Sequence, residues 1–174
     1  MNLPSSVARL VPSLDGPSNL IRDSWDRLQS LPGGRAIFSR LVGRGAPYTG
    51  SIGAHVEELD LGHARVTMRD RRKVRNHIRC VHAIALANLA EMCGNVALAY
   101  SLPDDARFIV AGFTIEYIKK ARGTITAVAS CPVPPTNERK EFDVEVIMYD
   151  ESEEVVCKVT LRSLVGPKPS RHDQ

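Results

Sequence analysis

The chain has 174 residues, 43% of them hydrophobic, which is enough for one domain with a sizeable core and too few for two. Lys and Arg number 23 against 20 Asp and Glu, so the formal net charge of +3 gives no reason to expect binding to nucleic acid or to a membrane surface. The four cysteines lie far apart without a C-x-x-C pair, which predicts isolated thiols in a reducing compartment and argues against a zinc site or a disulfide framework: Cys80, Cys93, Cys131 and Cys157.

Targeting and membrane signals are not evident in the sequence. Residues 1–14 mix proline and arginine with short apolar steps and lack the continuous apolar core of a signal peptide. No other stretch is expected to span a bilayer. We therefore expect a cytoplasmic protein.

Residues 1–47 are expected to form a helical extension in front of the main domain. Apolar residues over 20–31 recur at helical spacing after a possible N-cap at Ser18, and the Pro-Gly-Gly of 32–34 ends that pattern. This spacing predicts a first helix.

A second short helix is predicted over 35–42. The segment 43–47 then marks a boundary, because its two glycines and its proline disfavour both helix and central strand. The extension could be a lid over a ligand tunnel or could pack against an edge strand, and packing is the favoured interpretation. Trp25 is the natural anchor in either case.

Residues 48–166 predict one domain that contains a hairpin, a long buried helix and four further strands. The predicted strands cover 51–58, 64–68, 107–119, 124–131, 142–149 and 155–165. The segment 78–100 carries apolar side chains nearly all round a helix, so that helix must be buried on most sides. A single curved antiparallel sheet that wraps the helix, with the last four strands as a meander, is the simplest α+β arrangement. Residues 167–174 are expected to be a disordered tail.

The segment that opens the buried helix carries the most functional information. Asn76 and His82 are six residues apart, and Glu91 follows His82 by nine residues. This spacing resembles the motif of hotdog-fold acyl-CoA thioesterases of the phenylacetyl-CoA thioesterase type, which reads Asn, any two, Gly, any two, His-Gly-Gly, with a catalytic carboxylate nine residues after the histidine. Together with the element order over 48–166, the resemblance implies a hotdog fold, hydrolysis of acyl thioesters, and a homodimer or a dimer of dimers.

The segment also departs from that motif. Arg79 occupies the position of the first glycine, Ala83 and Ile84 replace the Gly-Gly pair, and Glu91 stands where that branch has an aspartate. A less characterised hotdog group of thioesterase-like proteins has similar features. The missing glycines favour a second hypothesis, namely a hotdog dimer that binds an acyl or acyl-CoA ligand without cleaving it.

Physical chemistry suggests what these residues could do in a thioesterase. A helix start has free N–H donors and the positive end of the helix dipole, so the Ala83 N–H could hold a thioester carbonyl oxygen as it gains negative charge. Glu91 could act as general base for water or attack the carbonyl directly to give a mixed anhydride, and the sequence leaves both routes open. Asn76 would position the water or the carbonyl, and His82 would orient the helix start.

Helix geometry predicts that one chain cannot supply the whole site. Nine residues make about two and a half turns and about 13 Å of rise, which puts Glu91 on the opposite face of the helix from His82. A complete site therefore needs the helix start of one subunit and Glu91 of another, across a two-fold axis. Catalysis would then require the dimer.

Each of these residues also has a simpler interpretation. A glutamate in an apolar helix commonly reaches solvent or binds a neighbour such as Asn88 or Asn95. His82 is more commonly a structural residue at a helix start, and Asn76 can be an ordinary N-cap or turn residue. Small side chains along the helix are most simply explained by close packing, and they lie at positions 83, 87, 90, 94 and 97.

Two basic groups are candidate contacts for the phosphates of coenzyme A. The resemblance implies nucleotide binding at the turn between two sheet strands, so substrate binding is assigned to Lys119, Lys120, Arg122 and Gly123, and also to Asn88. The cations of the connector 69–79 more simply form a solvated loop, and no aromatic residues interleave them to favour nucleic acid. No metal is expected, and no cofactor beyond the coenzyme A moiety of the substrate.

The favoured hypothesis is a cytoplasmic acyl-CoA thioesterase with Glu91, Asn76, Ala83 and His82 at its catalytic site. A hydratase or dehydratase of the same fold is the least favoured alternative, because those enzymes have longer motifs in which an Asp-His pair is placed differently.

Overall fold

A computed structural model describes residues 18–169, so the first part of the expected extension and the end of the expected tail lie outside the described residues. In chain order the elements are α1 (Leu20–Leu28), α2 (Gly34–Gly45), α3 (Pro47–Gly50), β1 (His55–Asp60), β2 (His63–Met68), α4 (Ala83–Ser101), β3 (Ala106–Tyr117), β4 (Ile125–Ser130), β5 (Lys140–Tyr149) and β6 (Val155–Pro167). A 3-10 turn, Arg72–Val74, interrupts the connector between β2 and α4.

The six strands form one antiparallel sheet in the order β1-β2-β4-β5-β6-β3, and its buried face covers α4. The predicted α+β architecture, a sheet wrapped around a long central helix, is confirmed. The predicted meander of four consecutive strands is wrong in one respect, because β3 pairs with β6, with Phe113 opposite Leu161, and lies at the far edge. The segment 118–124 is therefore a crossover between non-adjacent strands rather than a hairpin turn.

Helix α4 begins at Ala83, five residues later than the predicted start, because a hydrogen-bonded turn at 76–80 occupies that part of the chain. Its packing against the sheet depends on Gly94, where an added Cβ would overlap Leu161 Cδ1 and lie 3.1 Å from Val144 Cγ1. The small residues at 90, 94 and 97 are fully buried, as expected for close packing of a helix on a sheet.

By length and composition alone, α4 is long and apolar enough to cross a membrane. However, 67% of its apolar window is buried within the fold, as in the core helix of a globular protein.

Helix α1 covers the C-terminal end of α4 and satisfies its last carbonyl groups. Its N-cap is Asn19 rather than Ser18, and the Asn19 side-chain amide donates to the carbonyl oxygens of Ala99 (2.7 Å) and Leu102 (3.0 Å). The Arg22 guanidinium donates to the carbonyl oxygen of Tyr100 at 2.9 Å. Since a helix end leaves four carbonyls without intrahelical donors, these contacts explain why α1 docks here.

Trp25 anchors the N-terminal helices, as predicted, with 1% of its surface exposed. Its ring meets that of Phe38 of α2 edge-on, with centroids 5.1 Å apart. Helix α2 in turn packs on the edge strand β1, where the Val56 N–H donates to Ser39 Oγ at 2.9 Å. These helices pack against α4 and an edge strand, the arrangement that the sequence favoured over a lid.

The domain boundary placed over 43–47 stays a prediction, but the segment is more helical than expected, because α2 continues to Gly45 and α3 begins at Pro47, with a break at Ala46. Gly43 and Gly50 allow this: a Cβ on Gly50 would overlap the Gly43 carbonyl, so only glycine lets the two helices come so close.

Two further expectations concern the tail and the cysteines. Strand β6 continues to Pro167, and the Lys168 N–H donates to the Asp105 carbonyl at 2.8 Å, so residues 167 and 168 do not belong to the disordered tail expected over 167–174, the end of which lies outside the described residues. All four cysteines are free thiols, as predicted, and three of them are buried. Burial raises the pKa of the Cys157 thiol to about 11, so that thiol is unreactive at neutral pH.

Candidate active site

The start of α4 is held by hydrogen bonds from three other segments. The Val81 N–H donates to the Ala121 carbonyl (2.9 Å) and the His82 N–H to the Val74 carbonyl (2.8 Å). On the other side, the Tyr117 hydroxyl at the end of β3 donates to the Ala83 carbonyl (3.1 Å). The helix start is thus fixed in place, with the basic segment 119–122 beside it.

His82 is the N-cap of α4, and its Nδ1 accepts a hydrogen bond from the Ile84 N–H at 3.0 Å. Its carbonyl accepts from Ala85 and Leu86, so the first turn has acceptors for most of its N–H groups. Within residues 18–169 the Ala83 N–H has no acceptor. A single unpaired donor therefore remains at the positive end of the helix dipole, at the residue that the sequence singled out.

Asn76 shapes the loop that leads into the helix. Its Oδ1 accepts from the N–H groups of Ile78 (3.0 Å) and Cys80 (3.3 Å), and its carbonyl accepts from the Arg79 N–H. Arg79 has a φ of 57°, in the left-handed region that favours glycine. The structure thus explains why the motif has glycine there, and it gives Asn76 a turn-forming position close to His82.

Glu91 lies in the middle of α4 and is half-buried. Within residues 18–169 its carboxylate makes no hydrogen bond and no ion pair, so the simpler interpretation that it binds Asn88 or Asn95 does not hold. The Asn88 amide donates instead to the Tyr48 carbonyl at 3.1 Å, and the buried Oδ1 atoms of Asn88 and Asn95 have no donor in the described chain.

The spacing of these three residues places them on one helix face, since 88 and 95 are seven residues apart and 91 lies between them. Each presents an oxygen that can accept hydrogen bonds and has no donor. Of the three, only the half-buried Glu91 carboxylate is open to a ligand or a neighbouring chain, because the Oδ1 atoms of Asn88 and Asn95 are buried.

The two reactive groups do not meet within one chain. Ala83 and Glu91 are eight residues apart in an unbroken helix, which corresponds to about 12 Å along its axis. The Ala83 N–H and the Glu91 carboxylate of one chain therefore cannot both contact the same thioester carbonyl group.

The basic crossover contributes less positive charge than its sequence suggests. Lys119 forms an ion pair with Asp150 at 2.7 Å and a second with Glu154, and hydrogen bonds to these carboxylates raise the Lys119 pKa. Lys120 and Arg122 are exposed and make no ion pair in the described part of the chain.

Gly123 has a structural position in this crossover. Its φ of 72° requires glycine, its N–H donates to Asp70 Oδ2 at 3.2 Å, and an added Cβ would come within 2.7 Å of the Glu151 carboxylate. Its assignment to substrate binding stays a prediction, as do those of Lys120 and Arg122.

Tyr117 belongs to the candidate site, and the sequence did not indicate it. Burial raises the pKa of its hydroxyl, so at neutral pH the phenol is a protonated donor to the helix start. In the sequence an aromatic residue inside a β-branched strand looks like a core residue, and only the pairing of β3 at the sheet edge reveals its position.

No group of three or more His, Cys, Asp or Glu side chains that could hold a metal occurs among residues 18–169.

Comparison with known protein families identifies the chain. The family described as "Domain of unknown function (DUF4442)" matches residues 34–165. The chain belongs to the DUF4442 family. The match begins at Gly34 and therefore includes α2, which the sequence had assigned to the N-terminal extension.

Solved structures similar to this DUF4442 chain share its fold. The structure described as genomics APC5556 is 34% identical, with a TM-score of 0.73, over 84% of this chain and 98% of that chain. PA5026 from Pseudomonas aeruginosa, described as a probable thioesterase, is 24% identical, with a TM-score of 0.67, over 79% and 97%. The protein smu.793 from Streptococcus mutans, bound to acetyl CoA, is 19% identical, with a TM-score of 0.57, over 66% and 90%.

The similarity to these structures confirms the predicted hotdog fold, in which an antiparallel sheet wraps a long helix. A search of curated proteins found no match.

Proposed function

We propose that this protein hydrolyses acyl-CoA or related acyl thioesters at sites shared between two copies of the chain. The observation that carries the proposal is that α4 offers an unpaired N–H donor at its start and an unpaired, half-buried carboxylate, Glu91, in its middle. Thioester hydrolysis needs both a donor for the developing oxyanion and a base or nucleophile. The neighbour named as a probable thioesterase and the acetyl CoA complex support this reaction class.

The edge strand β3 supports a shared site. It is 12 residues long, its outer edge has no partner strand in the described chain, and it exposes 66% of Ile109, 41% of Phe113 and 46% of Tyr117. Soluble proteins usually protect such an edge with charge, a bulge or a covering element. Pairing of two β3 strands across a two-fold axis would cover it and bring a second α4 close to the first, in a homodimer or a dimer of dimers.

In the proposed mechanism, the Ala83 N–H of one subunit donates to the thioester carbonyl oxygen and stabilises its negative charge as the carbonyl carbon is attacked. In the first route, the carboxylate of Glu91 from the other subunit takes a proton from water. The water oxygen bonds to the carbonyl carbon, the C–S bond breaks, and the sulfur leaves as a thiol with that proton. In the second route, a carboxylate oxygen of Glu91 bonds to the carbonyl carbon, the C–S bond breaks, and the sulfur leaves as a thiolate. Water then cleaves the mixed anhydride, which frees the acid and restores the Glu91 carboxylate, and the proton that this step releases is taken up by the thiolate.

Other residues act by position. His82 caps the first turn and so holds the Ala83 N–H free, Asn76 sets the loop before it, and Tyr117 fixes the helix from the side of β3. Asn88 would contribute its unpaired Oδ1 beside Glu91. We place this reaction in the cytoplasm.

The test is the substitution Glu91→Gln, which keeps the shape of the side chain and removes its basicity. We expect turnover to fall about 10²–10⁴-fold in a thiol-release assay over a panel of acyl-CoA substrates, with the dimer intact by light scattering. The matched control is Glu145→Gln on the outer face of β5, which should keep wild-type turnover. Unchanged turnover in Glu91→Gln would reject the assignment.

A second candidate function is binding of an acyl-CoA ligand without cleavage. Ile84, with 53% of its surface exposed at the helix start, favours it, because a glycine there would leave more room for a substrate. Saturable binding of acyl-CoA by the wild-type protein with no thiol release from any member of the panel would establish this function instead.

A further inference from the structure

A pocket of about 780 Å³ lies between α2, α3, the beginning of β1 and the connector before α4. Three cationic side chains line it: Arg40 and Arg44 from α2, and Lys73 from the 3-10 turn. Ser39, Thr49 and Ser51 are also among the lining residues. The volume lies within the usual range of small-molecule sites in proteins.

The charge of this pocket is unbalanced. Within residues 18–169, the side chains of Arg40, Arg44 and Lys73 make no ion pair and no hydrogen bond. No Asp or Glu is among the residues that line this pocket. By contrast, Arg75 is paired with Asp70 and Lys119 with Asp150. Three like charges around one concavity raise the local positive potential, so the pocket favours an anion.

The wall of the pocket is well fixed. Gly43 and Gly50, which both line it, bring the backbones of α2 and α3 into direct contact. At the rim, the Arg71 guanidinium lies against Gly53, another lining residue, and donates to the Ile52 carbonyl at 2.7 Å. A further cation thus stands next to the three that line the pocket.

The pocket adjoins both parts of the candidate active site. Met92, which follows Glu91, lines it, and Lys73 precedes Val74, whose carbonyl accepts the His82 N–H. Tyr48, whose carbonyl accepts from Asn88, lies between two lining residues of α3. A ligand bound here would therefore lie alongside α4 between its start and its middle.

We propose that this pocket binds the phosphate groups of the nucleotide end of a coenzyme A thioester. The identity of the ligand rests on the proposed function, whereas its anionic character follows from the pocket itself. Coenzyme A carries its negative charge on a 3′-phosphate and a diphosphate. One arginine guanidinium group can donate two parallel hydrogen bonds to two oxygens of a phosphate. The rival set in the crossover is weaker, because Lys119 is already neutralised there.

The experiment measures binding of 3′,5′-ADP, the nucleotide end of coenzyme A, by calorimetry. We expect Arg40→Gln, Arg44→Gln and Lys73→Gln each to weaken binding about tenfold or more, and the affinity of the wild-type protein to fall as salt rises. The matched control is Arg35→Gln, on the same helix with a side chain outside the pocket, which should bind as the wild-type protein does. All four side chains are exposed, and unchanged circular dichroism spectra would verify folding.

Three results would overturn the proposal: undiminished 3′,5′-ADP binding by the triple variant that combines these three substitutions, loss of binding in Lys120→Gln/Arg122→Gln instead, or inorganic phosphate that binds as tightly as 3′,5′-ADP.

Turnover provides an independent readout. The triple variant should raise KM for acyl-CoA about tenfold or more and leave hydrolysis of an acyl-pantetheine, which lacks the nucleotide, unchanged. Because nucleotide binding is measured without turnover, a protein that cleaves no thioester would still test the pocket.

Discussion

The Tyr117 hydroxyl donates a hydrogen bond to the carbonyl oxygen of Ala83 at 3.1 Å, and so ties the edge strand β3 to the first residue of α4. The same residue thus has an engaged carbonyl and an N–H without an acceptor in the described chain. Anything that moves β3, including its pairing with a second copy, would therefore also act on the unpaired donor.

The unpaired donor can be removed with little structural cost. Ala83 is the first residue of α4, a position that proline favours, and His82 before it has φ −65° and ψ 139°, which proline permits. We expect Ala83→Pro to leave the free energy of unfolding within about 1 kcal/mol of wild type, since no intrachain hydrogen bond is lost. In thiol release, kcat should fall about 10²–10³-fold because the oxyanion loses its donor.

The control is Ala83→Gly, which keeps the N–H and should retain turnover. Wild-type kcat in Ala83→Pro, in a protein with normal urea unfolding, would show that this N–H takes no part in the reaction.

Mixed dimers test whether the site is shared. A heterodimer of one Ala83→Pro chain and one Glu91→Gln chain contains one site with both groups intact and one with neither, if each site draws on two chains. Equal mixing makes half of the dimers heterodimers, so refolded mixtures should recover about a quarter of wild-type activity. Each variant refolded alone serves as the control, and a mixture no more active than its parents would mean that sites do not combine residues from two subunits.

Backbone strain at Arg79 predicts a stabilising substitution. A non-glycine residue at φ 57° destabilises the folded state by about 1–2 kcal/mol. Replacing it with glycine removes this strain, but the greater conformational freedom of glycine in the unfolded chain cancels part of the gain. We expect Arg79→Gly to raise the free energy of unfolding by up to about 1 kcal/mol in urea titrations. The control is Arg72→Gly, at a residue without a positive φ, which should lower the free energy of unfolding by about 0.5–1 kcal/mol. A destabilised Arg79→Gly protein would contradict this account.

Tyr100 predicts a pH dependence of stability. Its hydroxyl donates to Asp26 Oδ1 at 2.9 Å, and burial together with this carboxylate raises the Tyr100 pKa to about 12. Because the folded pKa exceeds the unfolded value of about 10, this tyrosine stabilises the fold below pH 10 and loses that contribution as the pH rises towards 12. Urea unfolding from pH 9 to 12 should show a smaller loss of stability in Tyr100→Phe than in wild type, and equal losses in the two proteins would be inconsistent with this assignment.

Local patterns predicted the architecture and the central helix, because apolar periodicity is a property of short segments. They also predicted Trp25 as an anchor and the packed small residues of α4. Local patterns gave wrong predictions where contacts between distant segments of the chain determine the structure. The start of α4 was placed too early because the turn around Asn76 interrupts an apolar pattern that continues through it, and β3 was placed beside β4 because its true partner, β6, is about 40 residues further along the chain.

In the candidate site, too, local features could be predicted from the sequence, whereas contacts between distant segments could not. The sequence was enough to select Ala83 and Glu91, and within residues 18–169 the Ala83 N–H has no acceptor and the Glu91 carboxylate has no donor. It could not show that Lys119 is neutralised, since its two carboxylates come from the turn after β5. The cationic pocket was also missed, because the whole hairpin separates Lys73 in sequence from Arg40 and Arg44 of α2, and only the fold brings them together.

The bare outer edge of β3 also bears on how the protein survives in a crowded solution. If the proposed dimer forms, a newly folded chain that is still a monomer has, within residues 18–169, a long unpaired strand edge with exposed apolar side chains, to which other chains could add strand by strand and grow into a fibre. Rapid pairing would remove that hazard at the same moment as it completes the chemistry. Variants that weaken association should therefore precipitate more readily as well as lose activity.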